Sequence, residues 1–261
     1  MITKVEPIIR KAGEILLSYY GKLNPADISD KAAFDYVTIA DNASEEFIIS
    51  ELRKEFPEIA FLAEESGLSD KNATSYWIID PLDGTKNFIQ NIPYFAISIA
   101  LQIDQKIVFG AVYNPLLNEL FYAETRKGAF LNGSPISISK KASFSDGFIS
   151  TGFPFKKREL SAQYFASFSD IFSAVTNIRR CGAAALDLAY LAAGRYDGFW
   201  EIGLSPWDIA GASIIITEAG GKITDFDDKS NYIESGFVIA GNELFHQKLL
   251  KHIQSNFKKK G

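Results

Sequence analysis

Along the first twenty residues, Val5, Ile8, Ile9, Ala12, Ile15 and Leu16 recur at the i, i+3, i+4, i+7 spacing of a helix with one buried face. Gly21 ends it. Lys22 to Phe34 is mixed and polar, and reads as a loop or short irregular segment. A second helix is predicted over residues 43–56, capped by Asp41 or Asn42 and stopped by Pro57. Then the character changes. FLA (61–63), YWIID (76–80), YFAISIALQI (94–103), KIVFGAVYN (106–114) and ELFYAE (119–124) are rich in β-branched and aromatic residues and separated by short turn-like segments. They predict a largely antiparallel run of strands, with a further tight turn at Asn132-Gly133.

After about residue 140 helices and strands alternate. GFIST (147–151), NIRRC (177–181), YDGFWEI (196–202), KITDF and GFVIAG read as strands. AAALDLAYLAAG (183–194) and PWDIAGASIIITEAGG (206–221) read as helices closed by glycine, the second opened by Pro206, and a last helix begins near Asn242. The pattern divides the chain into an N-terminal α+β half, residues 1–140, and a C-terminal α/β half, residues 141–261, without a recognisable linker.

Composition narrows the function. A net charge of −5 over 261 residues argues against a basic face for nucleic acid or anionic membranes. It leaves room for a small anionic substrate, because bound cations reverse the local sign of a site. The single cysteine, Cys181, permits neither an intramolecular disulfide nor a cysteine metal cage. It reads as a packed small residue. No apolar run reaches bilayer length and the start reads as an amphipathic helix, so the cytoplasm is the expected location. His246 and His252, both near the C-terminus, read as surface helix residues and offer no nucleophile relay. Phe153 and Phe155 read as core, and the lysines at 258–260 as a solvated tail.

The chemistry concentrates in WIIDPLDGTKNF, residues 77–88. A strand ends at Asp80, and Asp83 follows three positions later across a sharp turn set by Pro81. The two carboxylates can converge there, with the Leu82 carbonyl beside them. Gly84 allows close backbone approach, and the N–H groups of Gly84 and Thr85, opening a helical turn, suit a phosphate. Carboxylates so close repel unless they share a proton or bind a cation, and oxygen-only donors favour Mg²⁺ or Mn²⁺ over zinc. Turn chemistry alone explains every residue of the segment except the threonine. Other stretches add acids: AEES (63–66) with Glu64 and Glu65, SPWDIAG (205–211) with Asp208 in a first helical turn, and VTIADN (37–42) ending near Asp41. Helix capping and dipole stabilisation account for the last two separately.

Taken in order and at these separations, VTIADN, AEES, WIIDPLDGTKNF and EIGLSPWDIAGASIIITEAGG resemble the inositol monophosphatase family, from roughly Asp35 to Gly241. The resemblance implies a layered αβαβα sandwich of the inositol monophosphatase and fructose-1,6-bisphosphatase type, in which the two halves form one compact catalytic unit. It also implies a homodimer, two or three Mg²⁺ ions, and inhibition by lithium. By the same resemblance, Glu64, Asp80 and the Leu82 carbonyl are ligands of one metal. Asp80, Asp83 and Asp208 are ligands of another, with Glu65 as a supporting acid. Thr85 with Glu64 orients the attacking water and Asp41 polarises Thr85. Gly84 and Thr85 hold the phosphate, Glu201 accepts hydrogen bonds from substrate hydroxyls, and Gly182 and Ala183 form a neighbouring wall.

One position departs from the pattern. Lys86 stands where most inositol phosphatases have threonine, and Asp-Gly-Thr-Lys resembles the branch that hydrolyses 3′-phosphoadenosine 5′-phosphate and some histidinol-phosphate phosphatases. The expected function is therefore Mg²⁺-dependent hydrolysis of inositol monophosphate or a similar small polyol phosphate. The alternatives are bisphosphate nucleotidase, histidinol-phosphate phosphatase or fructose-1,6-bisphosphatase activity. A regulatory or RNA-processing partner that has lost catalysis would show substitutions at Asp80, Asp83, Thr85 or Asp208, and all four are present.

Overall fold

The computed structural model describes residues 1–32 and 35–257. The opening periodicity becomes α1 (Ile2–Tyr19), whose buried stripe of Val5, Ile8, Ile9, Ala12 and Leu16 packs against α2 (Ile39–Glu55). Between them lies a hairpin of β1 (Ile28–Ala32) and β2 (Asp35–Thr38). Both helices cover one face of an eight-stranded sheet built from β3 (Ala60–Ala63), β4 (Gly67–Leu68), β5 (Ser75–Asp83), β6 (Ala96–Ile103), β7 (Lys106–Asn114), β8 (Glu119–Glu124), β9 (Ala129–Leu131) and β10 (Ser134–Pro135). Its spatial order is β10-β9-β8-β7-β6-β5-β3-β4, antiparallel except where β3 runs parallel to β5. The short α3 (Thr85–Ile89) follows β5.

The second sheet combines β11 (Phe148–Thr151), β12 (Asn177–Arg179), β13 (Gly198–Ile202), β14 (Lys222–Thr224) and β15 (Phe237–Gly241), in the order β12-β11-β13-β15-β14. Two helices, α5 (Ala184–Ala192) and α6 (Pro206–Glu218), lie between the sheets, and α4 (Ser161–Phe172) and α8 (Glu243–Phe257) pack together against the outer side of the second. The short α7 (Tyr232–Ser235) completes the chain's helices among the described residues. The result is the expected αβαβα layering.

Three apolar layers hold these elements together. Trp77, Ile79, Ile97 and Phe109 project from the first sheet onto α1 and α2, while Val112, Phe121, Leu188, Ile215 and Phe199 fill the space between the sheets. Tyr164, Trp200, Phe245 and Leu249 form the outer layer. Burying a side chain of this size contributes roughly 1.5–3 kcal/mol relative to leaving it exposed. Glycine sets the closest approach. A Cβ on Gly110 of β7 would overlap the Gly211 carbonyl oxygen of α6, and one on Gly211 would lie 2.5 Å from Ser98 Oγ. The glycine of the Trp-Asp-x-Ala-Gly segment is thus a packing residue that brings α6, and Asp208 with it, against the sheet.

Several expectations need correction. The segment 22–34 is not simply loop: β1 forms within it, because Ser29 and Asp30 find ladder partners in Val37 and Tyr36. Phe34 lies outside the described residues, as do the lysines at 258–260. The second helix starts at Ile39, earlier than expected, with Thr38 as its cap. The strand expected to end at Asp80 continues to Asp83 through an irregularity. The helix α4 was not foreseen, and it forms because its face of Tyr164, Ser167 and Ile171 has α8 to pack on. His246 is fully buried, with Nε2 2.7 Å from Thr224 Oγ1, so it is a core residue and not a surface one. Phe155 is 46% exposed, which removes it from the core.

Candidate active site

The two motif carboxylates of β5 would face opposite sides of a regular strand, since they are three positions apart. The irregularity between Asp80 and Asp83 cancels that difference. A bulge of this kind re-aims side chains, and here Pro81 suits it because the ring removes a ladder donor. Asp80 keeps the face of Ile78, which packs on Ala210 of α6. That same helix carries Asp208. The carboxylate oxygens of Asp80, Asp83 and Asp208 come within 4.8 Å of one another, and the first two acids are buried.

Each acid is fixed by backbone donors. Asp80 Oδ1 accepts from Leu82 N at 3.0 Å. Asp83 accepts from Ala184 N at 3.1 Å and Ala185 N at 2.7 Å, at the start of α5. Asp208 Oδ2 accepts from Ser205 N at 2.7 Å and completes a capping box with Ser205. One oxygen of Asp208 serves the helix, which leaves the other for the cluster. Asp41 repeats this division on α2. Its Oδ2 accepts from Thr38 N and Thr38 Oγ1, while Oδ1 lies 3.0 Å from Thr85 Oγ1. The Thr85 hydroxyl is also 3.1 Å from the Leu82 carbonyl. Helix capping and site geometry are therefore compatible at both positions.

Electrostatics sets the cluster apart. Burial, reinforced by repulsion from Glu64, Asp83 and Asp208, holds the Asp80 carboxyl well above the ordinary carboxylate range. Burial and then Asp208 do the same to Asp83. Asp208 is pushed up to about 6 by burial, against the pull of Lys156. Asp41 also rises to about 6 by burial, against hydrogen bonds from Thr38 and Thr85. Among the described residues no cationic side chain forms a salt bridge with Asp80, Asp83 or Asp208. Such a set is costly as bare anions and is relieved by a cation, and its oxygen-only donors fit a hard one. The three acids can hold a metal ion.

The cleft in front of the cluster has a volume of about 330 Å³ and is lined from both halves of the chain, including Gly84, Thr85, Lys86, Gly182, Ala183 and Glu201. Gly84 and Gly182 have φ of 93° and 92°, which favours glycine at each. Glu201 projects from β13 directly over Gly152, where a Cβ would overlap its carboxylate. Burial, then repulsion from Asp187, holds Glu201 well above its usual range. Glu64 follows β3, with its N–H on the Ile79 carbonyl at 3.1 Å and its carboxyl acting on Asp80. Glu65 is next, its N–H accepted by Glu45 at 2.9 Å.

Other lining residues have no site role assigned from the sequence. Asp187 lies at the base, hydrogen-bonded to the Tyr94 hydroxyl and raised to about 7 by burial. Asn87 Nδ2 bridges the Tyr94 and Cys181 carbonyls at 2.7 and 3.0 Å, joining the two halves of the cleft. At the mouth, the Phe155 ring has Lys86 Nζ and the Arg180 guanidinium each 5.3 Å from its centroid.

Comparison with known proteins gives a consistent picture. The family model described as "Inositol monophosphatase family" matches residues 1–258. "Inositol-1-monophosphatase" of Mesorhizobium japonicum is 42% identical over 245 residues, covering 94% of this chain and 92% of that protein. "Nus factor SuhB" of Pseudomonas aeruginosa is 41% identical over 250 residues, with the same coverage of 94% and 92%. Among solved structures, the extragenic suppressor protein suhB from Bartonella henselae superposes with a TM-score of 0.93 at 40% identity, covering 100% of this chain and 98% of the other. The inositol monophosphatase from Anabaena gives 0.87 at 36% identity, covering 98% and 95%. Among the described residues no helix is long and apolar enough to cross a membrane.

Proposed function

This chain belongs to the inositol monophosphatase family, and on that premise we propose that it is a Mg²⁺-dependent phosphomonoesterase acting on inositol monophosphate or a similar small polyol phosphate. The observation that carries the reading is the convergence of Asp80, Asp83 and Asp208 beside the Thr85–Asp41 pair. Mg²⁺ would be held by Asp80, Asp83 and Asp208 with Glu64 and the Leu82 carbonyl, and Mn²⁺ shares the same donor preference. When bound, the metal supplies charge neutralisation and Lewis-acid polarisation of the phosphate ester.

The chain's own groups do the rest. Asp41 is pushed up only to about 6, so at neutral pH it is mostly ionised and accepts a hydrogen bond from the Thr85 hydroxyl. That leaves the Thr85 oxygen lone pairs to accept a hydrogen from water and hold it in line with the ester. Glu64 completes the orientation of that water. Gly84 and the Thr85 N–H sit where the phosphate oxygens need donors, and Glu201 with the Gly182–Ala183 wall faces the polyol. Positioning of this kind, together with charge neutralisation, accounts for most of the acceleration in phosphoryl transfer.

Phosphate release from inositol 1-phosphate tests the reading. We expect activity with Mg²⁺, partial activity with Mn²⁺, and loss after exhaustive chelation; full activity after chelation overturns it. Retained fold without catalysis is opposed by the presence of Asp80, Asp83, Thr85 and Asp208 together.

A second reading has one specific observation behind it. Lys86 and Arg180, from opposite halves of the chain, flank an exposed Phe155 at the mouth, a surface suited to a second anionic group or a planar base. Against it, the Glu201 oxygens accept hydrogen bonds from hydroxyl donors, which a second phosphate does not offer. We expect inositol 1-phosphate to have the higher kcat/KM over 3′-phosphoadenosine 5′-phosphate and fructose 1,6-bisphosphate. A tenfold preference for the nucleotide that Lys86→Thr erases replaces the polyol reading with the nucleotidase one.

A further inference from the structure

Beyond β3 the chain turns sharply to reach β4, and Ala63 pairs with Gly67 across that turn. Glu64 N–H bonds back to Ile79, but Glu65 and Ser66 have no strand opposite their donors. Orphan N–H groups this close to a core need acceptors. Glu45 supplies both: Oε2 accepts from Glu65 N at 2.9 Å and Oε1 from Ser66 N at 2.8 Å. Its residue is only 3% exposed, an unusual place for a carboxylate in mid-helix unless it is paired.

Its neighbours on α2 do similar work. Asp41 reaches Thr85, and Ser44 Oγ donates to the Pro81 carbonyl at 3.1 Å, inside the bulge between Asp80 and Asp83. Three polar side chains within two turns of one helix therefore hold the three N-terminal segments of the site. We infer that Glu45 is a positioning residue, which clamps the 64–66 turn through its backbone so that the Glu64 carboxyl meets Asp80 at the metal cluster. The inference rests on the metal-binding reading proposed above. The residue touches neither substrate nor metal; it acts through Glu64.

Glu45→Ala removes both acceptors. Glu45→Gln keeps the shape and one acceptor, but turns an amide N–H₂ toward the second N–H. Outer partners that orient ligands are worth about 10- to 100-fold in metal affinity. In cation-free full-length protein titrated calorimetrically with Mn²⁺, well below its melting temperature, we expect binding weakened about 10-fold in Glu45→Gln and up to about 100-fold in Glu45→Ala. Amide exchange at Glu65 and Ser66 is expected to quicken in the same order, without any cation present. The exposed Glu46→Gln serves as the control and leaves both measurements unchanged. A purely structural role would lower the melting temperature and leave the Mn²⁺ dissociation constant alone. Equal Mn²⁺ binding by the native protein and both Glu45 variants overturns the clamp, whatever their melting temperatures. Failure of the native protein to bind Mn²⁺ overturns the metal-binding reading and the clamp together.

Discussion

Asp83→Asn is expected to lower phosphate release from inositol 1-phosphate by about 10³-fold or more, well beyond the 10- to 100-fold that outer partners are worth. The loss comes chiefly from removing charge at the metal: the amide oxygen can still accept from Ala185 N, while the amide N–H₂ faces the weaker Ala184 N–H contact. The same change is expected to stabilise the cation-free protein at neutral pH. Asp83 has its folded pKa raised, so its favourable contribution is complete below the unfolded value of 3.8 and is lost as pH rises through the folded one. Calorimetry in a chelator at pH 5 and pH 7 reads this directly. The native protein should weaken across that interval more than Asp83→Asn does, and added Mg²⁺ should restore the native protein but not the variant. Normal turnover by Asp83→Asn would reject the ligand assignment.

Asp41→Asn is expected to lower kcat by about 10²-fold, the scale of losing one oriented general acid–base partner. The asparagine has a single acceptor oxygen for two tasks, the Thr38 cap and the Thr85 hydroxyl. A cap loss of about 1 kcal/mol should therefore accompany the kinetic defect. In the cation-free protein the Thr85 amide resonance should show an inflection near pH 6, where Asp41 ionises and becomes an acceptor, and bound Mg²⁺ should move it to lower pH. That inflection should vanish in Asp41→Asn. Thr85→Ser should keep most activity and Thr85→Ala should not, since the hydroxyl is the group in contact with Asp41. A Thr85→Ala protein of native rate would remove both residues from the proposed mechanism.

Much of this was legible in the chain. The strands between Tyr94 and Glu124 are legible nearly to their limits, because β-branched and aromatic residues alternate with turn residues there. Asp80, Asp83 and Thr85 stand out because acids, proline and glycine cluster with a threonine at one strand end, whereas Asp208 is singled out only by the family resemblance, since helix-dipole stabilisation explains it separately. Less legible was whatever depends on a partner far along the chain. The Ser- and Phe-rich α4 has no charged face to mark its solvent side, and its helical state is settled by α8. His246 looked exposed on a charged helix, yet its ring is buried against Thr224. Glu45 has a faint signature: Asp41, Ser44 and Glu45 fall on the same stripe of α2 as Ile48 and Leu52, all of them buried. Polar residues on a core-facing stripe signal that the helix is holding something.

The Gly110–Gly211 contact has a bearing on how the molecule comes into being. Asp80 and Asp83 leave the ribosome early, while Asp208 arrives roughly 125 residues later on a helix whose Gly211 packs against Gly110 of β7. A nascent chain that has made the first sheet therefore displays two acids without their third. Bringing Asp208 down must overcome both a long loop closure and the mutual repulsion of the acids. On the metal-binding reading proposed above, the three-acid cluster is therefore complete only once the chain through Asp208 has been made and α6 has seated.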